Sequence, residues 1–172
     1  MRKFLLLLVL LAFALPAFAA PKTAKKEDAP AEEKINFDLP RWVVILGVYK
    51  DFPEAKADAQ KFSKAGKIPF SMRGNIFDKK GLHYPKNFED ELYAGEYLAR
   101  RGNATREGDK ELEEHLSIER SDGYQGFAKG YYIVVGTIAE TSKDGLAQAE
   151  RFKAFAPDTY VKKTTIYMGC LH

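Results

Sequence analysis

The fold is decided by the stretch Gly130-Tyr131-Tyr132-Ile133-Val134-Val135-Gly136, a run of apolar and aromatic residues between two glycines. A short apolar run of this length and composition is typical of a strand. A polar turn follows it. A run with helical spacing then covers residues 146–156, and a strand-like run covers residues 159–167. This part of the chain therefore predicts one strand–helix–strand unit.

An earlier part of the chain repeats this order. Trp42-Val43-Val44-Ile45-Leu46-Gly47 is a run of similar length with the same final glycine, and it precedes a helical pattern at 53–65 and a strand-like run at 68–73. Gly47 can be aligned with Gly136, with one residue inserted in the second copy. Three positions of the helix faces then coincide: Ala57 with Ala147, Ala59 with Ala149, and Phe62 with Phe152. Such a repeat indicates a two-fold arrangement of one packing motif.

Two units in tandem give the element order β-α-β-β-α-β. This order predicts an α+β domain of the ferredoxin-like kind, in which a four-stranded antiparallel sheet carries two helices on one face. Residues 74–129 separate the units and are expected to form an inserted subregion. Within this insertion we expect a hairpin around Asp78-Lys79-Lys80-Gly81, a short helix or irregular aromatic segment at 88–101, and a charged, solvated helix at 110–120.

The first residues have the features of a secretory signal peptide. A positively charged start precedes an apolar run over residues 4–15, and Ala17-Phe18-Ala19 fits the cleavage pattern. The apolar run is shorter than the roughly 20 residues that a membrane span needs. We therefore expect residues 1–19 to be removed and the product to be periplasmic or secreted, with no membrane insertion after cleavage.

Amino-acid composition predicts where the linker ends and the domain begins. Residues 20–39 are rich in Ala, Pro, Lys and Glu, so we expect a flexible linker that precedes a domain at 40–172. Cys170 is the one cysteine of the chain, which predicts an exported protein without an internal disulfide. We interpret it as a small buried residue or a free thiol.

The charge balance argues against a polyanionic partner. The chain has 27 Lys and Arg residues against 24 Asp and Glu residues, a formal net charge of +3. Cleavage removes Arg2 and Lys3 and lowers this net charge to +1. A nearly neutral mature protein predicts no nucleic-acid partner.

The two copies resemble the two halves of a SPOR domain, the sporulation-related repeat. The first half is similar through its strand, residues 42–49, and through the alanine-rich helix after it. The second half is similar through residues 130–138 and through the helix face aligned above. The likeness covers residues 41–73 and 123–167, and it leaves out most of the insertion.

This resemblance implies a non-catalytic module of the periplasm or cell envelope, without a cofactor. Such domains bind peptidoglycan, preferring glycan strands stripped of their stem peptides. The glycan lies on the sheet face away from the helices. The positions of this chain expected to contact or flank it are Ile45, Val48, Arg73, Tyr132, Val134 and Lys162.

That face is more apolar in this chain than in the family. Polar or basic residues are usual where this chain has Ile45, Val48, Tyr132 and Val134. A large uncovered apolar face is uncommon on a soluble monomer. The alternative is therefore a structural or protein-interaction domain, with another envelope protein as its partner and with its sheet face covered by the insertion. The glycan-binding hypothesis instead keeps Tyr132 as an aromatic plate for a sugar ring.

Patterns that would indicate catalysis or metal binding are weak. His83, His115 and His172 lack the spacing of a zinc site, so we expect no metal. Acidic residues cluster at 89–96, and carboxylate pairs can cleave glycosides. An enzyme would need a cleft lined by this cluster and His83. A charged run is more often a solvated face, and we expect a protein that is not an enzyme.

Overall fold

The computed structural model describes residues 36–103 and 114–169. The predicted signal peptide, almost all of the predicted linker, and Cys170 lie outside these residues. The architecture is α+β. Its main elements are β1 (Asp38–Tyr49), α1 (Phe52–Gly66), β2 (Phe70–Ser71), β3 (Ile76–Asp78), β4 (Gly81–His83), β5 (Leu116–Arg120), β6 (Tyr132–Ala139), α2 (Ser142–Lys153) and β7 (Tyr160–Tyr167).

The main sheet is mixed and has five strands, in the order β2-β5-β6-β1-β7. Strand β1 pairs antiparallel with both β6 and β7, and β5 pairs antiparallel with β6. Strand β2 lies parallel to β5. The prediction of four antiparallel strands was therefore wrong in strand number and in the pairing of β2. The reason is that β5, which belongs to the insertion, occupies the place beside β6 and leaves only its own outer edge for β2.

Strand β5 also corrects the prediction of a solvated helix at 110–120. Residues 116–120 form a strand, and residues 110–113 lie outside the described part. Leu116 and Ile118 pack toward the helices, whereas Ser117 and Glu119 are paired with β6 residues of the opposite face. This is the period-two alternation of a strand. Its polar side is buried rather than solvated.

Local sequence signals explain where the helices begin and end. Asp51 precedes α1 in an extended conformation, but its side chain makes no capping hydrogen bond. Pro53 suits the first turn, and Lys67 ends the helix in the left-handed region at φ 53°. Thr141 caps α2, because its Oγ1 accepts a hydrogen bond from the Asp144 backbone N at 3.1 Å.

The sheet carries a hydrophobic layer on each side. On the helix side, Phe52, Ala55, Ala59 and Phe62 of α1 and Ala149 and Phe152 of α2 pack over β1, β5 and β6. On the opposite side, residues of the insertion cover the sheet. In the described part of the chain, neither helix has the length and apolar character that crossing a bilayer requires.

The central pairing of β1 with β6 has an internal two-fold relationship. Val43 lies opposite Ile138, and Tyr49 lies opposite Tyr132. When Gly47 is aligned with Gly136, as in the sequence repeat, Val43 corresponds to Tyr132 and Tyr49 corresponds to Ile138. The alignment therefore maps each of these two pairs onto the other. Register shifts on either side of Ile45 interrupt the ladder at its centre. The first strands of the two units are thus direct neighbours in one sheet.

Candidate functional site

The sheet face away from the helices is covered by two segments of the insertion. Tyr124, with Phe127 and Ala99 beside it, packs against apolar side chains of this face, which are Val43, Ile45, Ile133, Val135, Ile138 and Ile166. The cover also contacts the edge strand β7, since Thr164 Oγ1 donates a hydrogen bond to the Gln125 backbone O at 2.9 Å. This face is therefore a second core.

A buried polar network holds the cover in place, with Glu119 at its centre. The Glu119 side chain has no exposed surface. Its two carboxylate oxygens accept from Arg73 Nη1 at 3.1 and 3.3 Å. Its Oε2 also accepts from Tyr97 Oη at 2.8 Å and from the Arg100 backbone N at 3.1 Å. A buried carboxylate with this many donors is well compensated for its loss of water.

Arg100 forms the second half of the network. Its buried guanidinium donates to oxygen acceptors on four residues, Gly102, Asn103, His115 and Ser117. Asn103 Oδ1 accepts in addition from the Ile138 backbone N at 2.9 Å, which ties the segment to β6. Burial lowers the pKa of Arg100 to about 10, so the side chain is still a cation at neutral pH.

Two tyrosine hydroxyls complete the network. Tyr124 Oη donates to the Arg100 backbone O at 3.0 Å, and Tyr97 Oη donates to Glu119 while accepting from the Arg120 backbone N at 2.8 Å. Burial raises the pKa of both hydroxyls well above the ordinary value, and the Glu119 charge adds to this effect. Both tyrosines are therefore neutral donors over the whole physiological range.

Four of the six predicted ligand residues lie within or beside packed structure. Ile45 is fully buried in the covered face, and Val134 is fully buried on the helix side. Tyr132 is half-buried on the helix side, where its ring meets Phe52 edge-on at 5.5 Å between centroids. Arg73 is engaged by Glu119. The sheet thus separates Tyr132 and Val134 from Ile45, and a single ligand on one face cannot contact all three.

The other two predicted residues are more accessible. Lys162 lies on the covered side, with its Nζ 4.6 Å from the centroid of the Phe127 ring. Val48 is 44% exposed and stands opposite Ile133, at the end of the same face. Next to it, Lys50 Nζ lies 3.7 Å from the centroid of the Tyr131 ring. We call Val48, Lys50 and Tyr131 the open corner of the sheet face.

A cleft of about 510 Å³ lies where β1 continues beyond its pairing with β7. The last β1–β7 pair is Ile45 with Tyr160, so residues 46–49 still adjoin β6 on one side and border the cleft on the side that β7 has left. We call this the edge cleft. Its polar side chains come from β1, α1, the connection between α2 and β7, and the first residue of β7, and they are Tyr49, Asp58, Lys61, Asp158 and Tyr160.

Tyr49 lies at the centre of this cleft. Its ring covers Gly47, where any larger side chain would collide with it. Its Oη donates to Asp58 Oδ2 at 2.8 Å. Burial, the hydrogen bond to Asp58 and the charges of Asp58, Asp158 and Glu54 all raise the pKa of the Tyr49 hydroxyl. Carboxylates of α1 and of the connection before β7 therefore act on this hydroxyl. Neither the hydrogen bond nor Asp158 was anticipated from the sequence.

The residues of the enzyme hypothesis are arranged differently. His83 Nδ1 lies 2.6 Å from the Tyr84 backbone O, and His83 Nε2 lies 3.0 Å from Asp78 Oδ1. Neither His83 nor residues 89–96 line the edge cleft. Within residues 36–103 and 114–169, no group of three or more His, Cys, Asp or Glu side chains is placed to hold a metal ion.

Comparisons with known proteins found no matching family model, no matching curated protein and no matching solved structure. The resemblance to a SPOR domain therefore stays a prediction, based on the residues quoted for it. The arguments on function below rest on the geometry of this chain.

Proposed function

We propose that the chain is a non-catalytic interaction domain of the cell envelope that binds a partner protein through surfaces other than the covered sheet face. The observation that carries this proposal is the buried Glu119 carboxylate, which pairs with Arg73 at 3.1 Å and accepts from Tyr97 Oη and the Arg100 backbone N beside the cover. Removing donors from a buried charge is costly, because the charge is left without compensation for its lost water. An open glycan-binding face would require the loss of the Tyr97 and Arg100 bonds.

Two further features support the proposal. The signal-peptide pattern of residues 1–19 favours a mature protein outside the cytoplasm. The two-fold register of β1 with β6 supports an origin from a ferredoxin-like, SPOR-type arrangement. On this proposal β5 was added between β6 and β2, and the same insertion converted the ligand face into a core.

Binding to purified sacculi, with and without amidase pretreatment, tests the proposal. We expect no retention of the wild-type chain on either preparation. We also expect that a photo-reactive residue placed at exposed Leu92 or Leu146 forms a discrete adduct with one envelope protein in cells. Retention on amidase-treated sacculi, with no adduct at either position, would overturn it.

Peptidoglycan glycan strands are the second candidate, and the open corner favours it. Lys50 above the Tyr131 ring, with Val48 beside them, offers an exposed apolar and cationic surface at the end of the sheet face. An aromatic ring with polar neighbours is suited to the apolar face of a sugar. This candidate predicts retention on amidase-treated sacculi that Tyr131→Ala removes.

Tyr167→Ala provides the matched control for that experiment. Tyr167 is an exposed tyrosine of β7, and it pairs with Asp38, at the end of β1 opposite to the open corner. Equal retention of Tyr131→Ala and wild type would exclude the open corner. Loss of retention in both variants would indicate a general loss of structure, which circular dichroism detects.

A further inference from the structure

We infer that the edge cleft binds a primary ammonium group, presented by a small amine or an amino sugar. This site goes beyond the proposed function and does not depend on it. The partner surfaces discussed above are tested by cross-linking and by sacculi, whereas this inference concerns a small cationic ligand in a cleft between secondary-structure elements.

The shape of the cleft is set by the end of one strand pairing. Beyond Ile45, strand β1 has lost β7 as its neighbour, and a register shift at Ile45 and Gly47 bends it at the same point. Asp58 lies in the wall formed by α1, and Asp158 lies in the wall formed by the connection that leads to β7. Two carboxylates from different elements thus border one concavity.

The hydrogen-bonding groups of the cleft are predominantly acceptors. Asp58 and Asp158 are carboxylates and accept only. The Tyr49 hydroxyl gives its proton to Asp58 Oδ2, so its oxygen is left to accept from a ligand. A primary ammonium has three N–H donors and no acceptor, which matches this set. A neutral sugar hydroxyl can donate one hydrogen bond, but it has no positive charge to offset the carboxylates.

The charges favour the same ligand. Asp58 and Asp158 line the cleft with Lys61 as the one lysine among the lining residues, and Glu54 adds a third carboxylate that acts on Tyr49. Burial is the largest cause of the raised pKa of Tyr49, and the hydrogen bond to Asp58 and the three carboxylate charges act in the same direction, against negative charge on the hydroxyl. A cation beside the two lining carboxylates is favoured.

Two matched pairs of probes test the inference by NMR titration of the full chain. Cadaverine is compared with pentane-1,5-diol, and glucosamine with N-acetylglucosamine, so that each pair differs in the ammonium group. We expect saturable shifts of the Gly47, Tyr49 and Asp158 amides with at least one amine and none with the neutral probes. A response to cadaverine alone identifies an alkyl amine as the ligand, and one to glucosamine alone identifies an amino sugar.

Variants at the two walls locate the site. Asp58→Asn and Asp158→Asn each remove one charge. The fold is retained in Asp58→Asn, because the carbonyl oxygen of the new amide still accepts from the Tyr49 hydroxyl. We expect each variant to weaken amine binding about tenfold. Glu89→Gln, which changes an exposed acid outside the cleft, is the control and should leave binding unchanged.

Three outcomes overturn the inference. They are no saturable shift with either amine, equal shifts with the neutral probes, or an equal loss of binding in Glu89→Gln. A retained amine response together with failed cross-linking would reject the proposed function and leave this site standing.

Discussion

Arg73 and Glu119 are 46 residues apart in sequence, and their side chains meet at 3.1 Å beneath the surface. Arg73 follows β2 with a positive φ of 53°, and Glu119 lies in β5, in the last quarter of the insertion. The pair thus joins the end of the first strand–helix–strand unit, just after β2, to β5, which lies between β2 and β6 in the sheet. The same carboxylate accepts from Tyr97 Oη and the Arg100 backbone N, and so ties the segment beside the cover to β5.

Glu119→Gln is expected to lower the free energy of unfolding by about 3–5 kcal/mol, because Arg73 loses its buried counter-charge. Urea denaturation measures this loss. Hydrogen exchange should also rise in residues 97–103, which the carboxylate anchors. Asp122→Asn is the control, since it breaks the more exposed Arg120–Asp122 pair and should cost less than about 1 kcal/mol. Equal losses in the two variants would contradict a structural role for the network.

Gly136→Ala is expected to lower the free energy of unfolding by about 1–3 kcal/mol through overpacking. A methyl group there would lie 2.6 Å from Phe152 Cε2 and 2.7 Å from Leu46 Cδ1. Gly102→Ala is the matched control, because nothing lies within 4 Å of its added carbon. In a double-mutant cycle, Phe152→Leu should cost less in the Gly136→Ala background than in the wild type. An additive cycle would show that the two residues are not in contact.

His83 is expected to titrate above its ordinary pKa of 6.5. The bond to the Tyr84 carbonyl is the larger cause and Asp78 the smaller one, since both ring nitrogens face acceptors and only the cation satisfies both. The bonds of the protonated ring therefore stabilise the folded state fully below the pKa that His83 has in the unfolded chain. This stabilisation is lost as the pH rises through the higher pKa that His83 has in the folded protein. NMR titration of the ring protons measures this, and Asp78→Asn should lower the value. A wild-type His83 that titrates at or below 6.5 would rule out the paired geometry.

Phe77→Ala is expected to destabilise the β3–β4 hairpin more than Ile76→Ala does. The two side chains are equally exposed, at 42%, but the Phe77 ring stacks on Phe52 with centroids 4.1 Å apart. It also meets Tyr132 edge-on at 5.9 Å. We expect a loss of about 1–2 kcal/mol for Phe77→Ala, measured by thermal unfolding. A larger loss for Ile76→Ala would show that the stacking does not fix the hairpin.

Much of the architecture could be predicted from local patterns. The apolar run from Trp42, the alanine-rich face of α1 and the turn at residues 78–81 each carry a strong short-range signal, and each element forms close to the predicted residues. Pro69 directly precedes β2, and proline is tolerated in sheets mainly at their edges. Strand β2 lies at an edge of the sheet, beside β5.

Strand β5 was missed because its decisive partners are remote. Its charged residues look solvated in a local window, and the apolar–polar alternation is short. Glu119 is stable in the interior only because Arg73 and the Arg100 backbone lie beside it, 46 and 19 residues away. The edge cleft was missed for the same reason, because its residues are remote from one another in the sequence. Tyr49 and Asp158 come together only after the elements between them have folded.

The position of β5 also has a consequence for the order of assembly. Strand β2 pairs with β5, and β5 is held in turn by β6, so in the described chain the peptide near Phe70 cannot join the sheet before residues 116–139 have been synthesised. In a nascent chain that ends before these residues, β2 would have no strand with which to pair. Maturation of the whole domain therefore waits for its C-terminal half, and truncations upstream of β6 should be cleared by proteases rather than persist as half-domains.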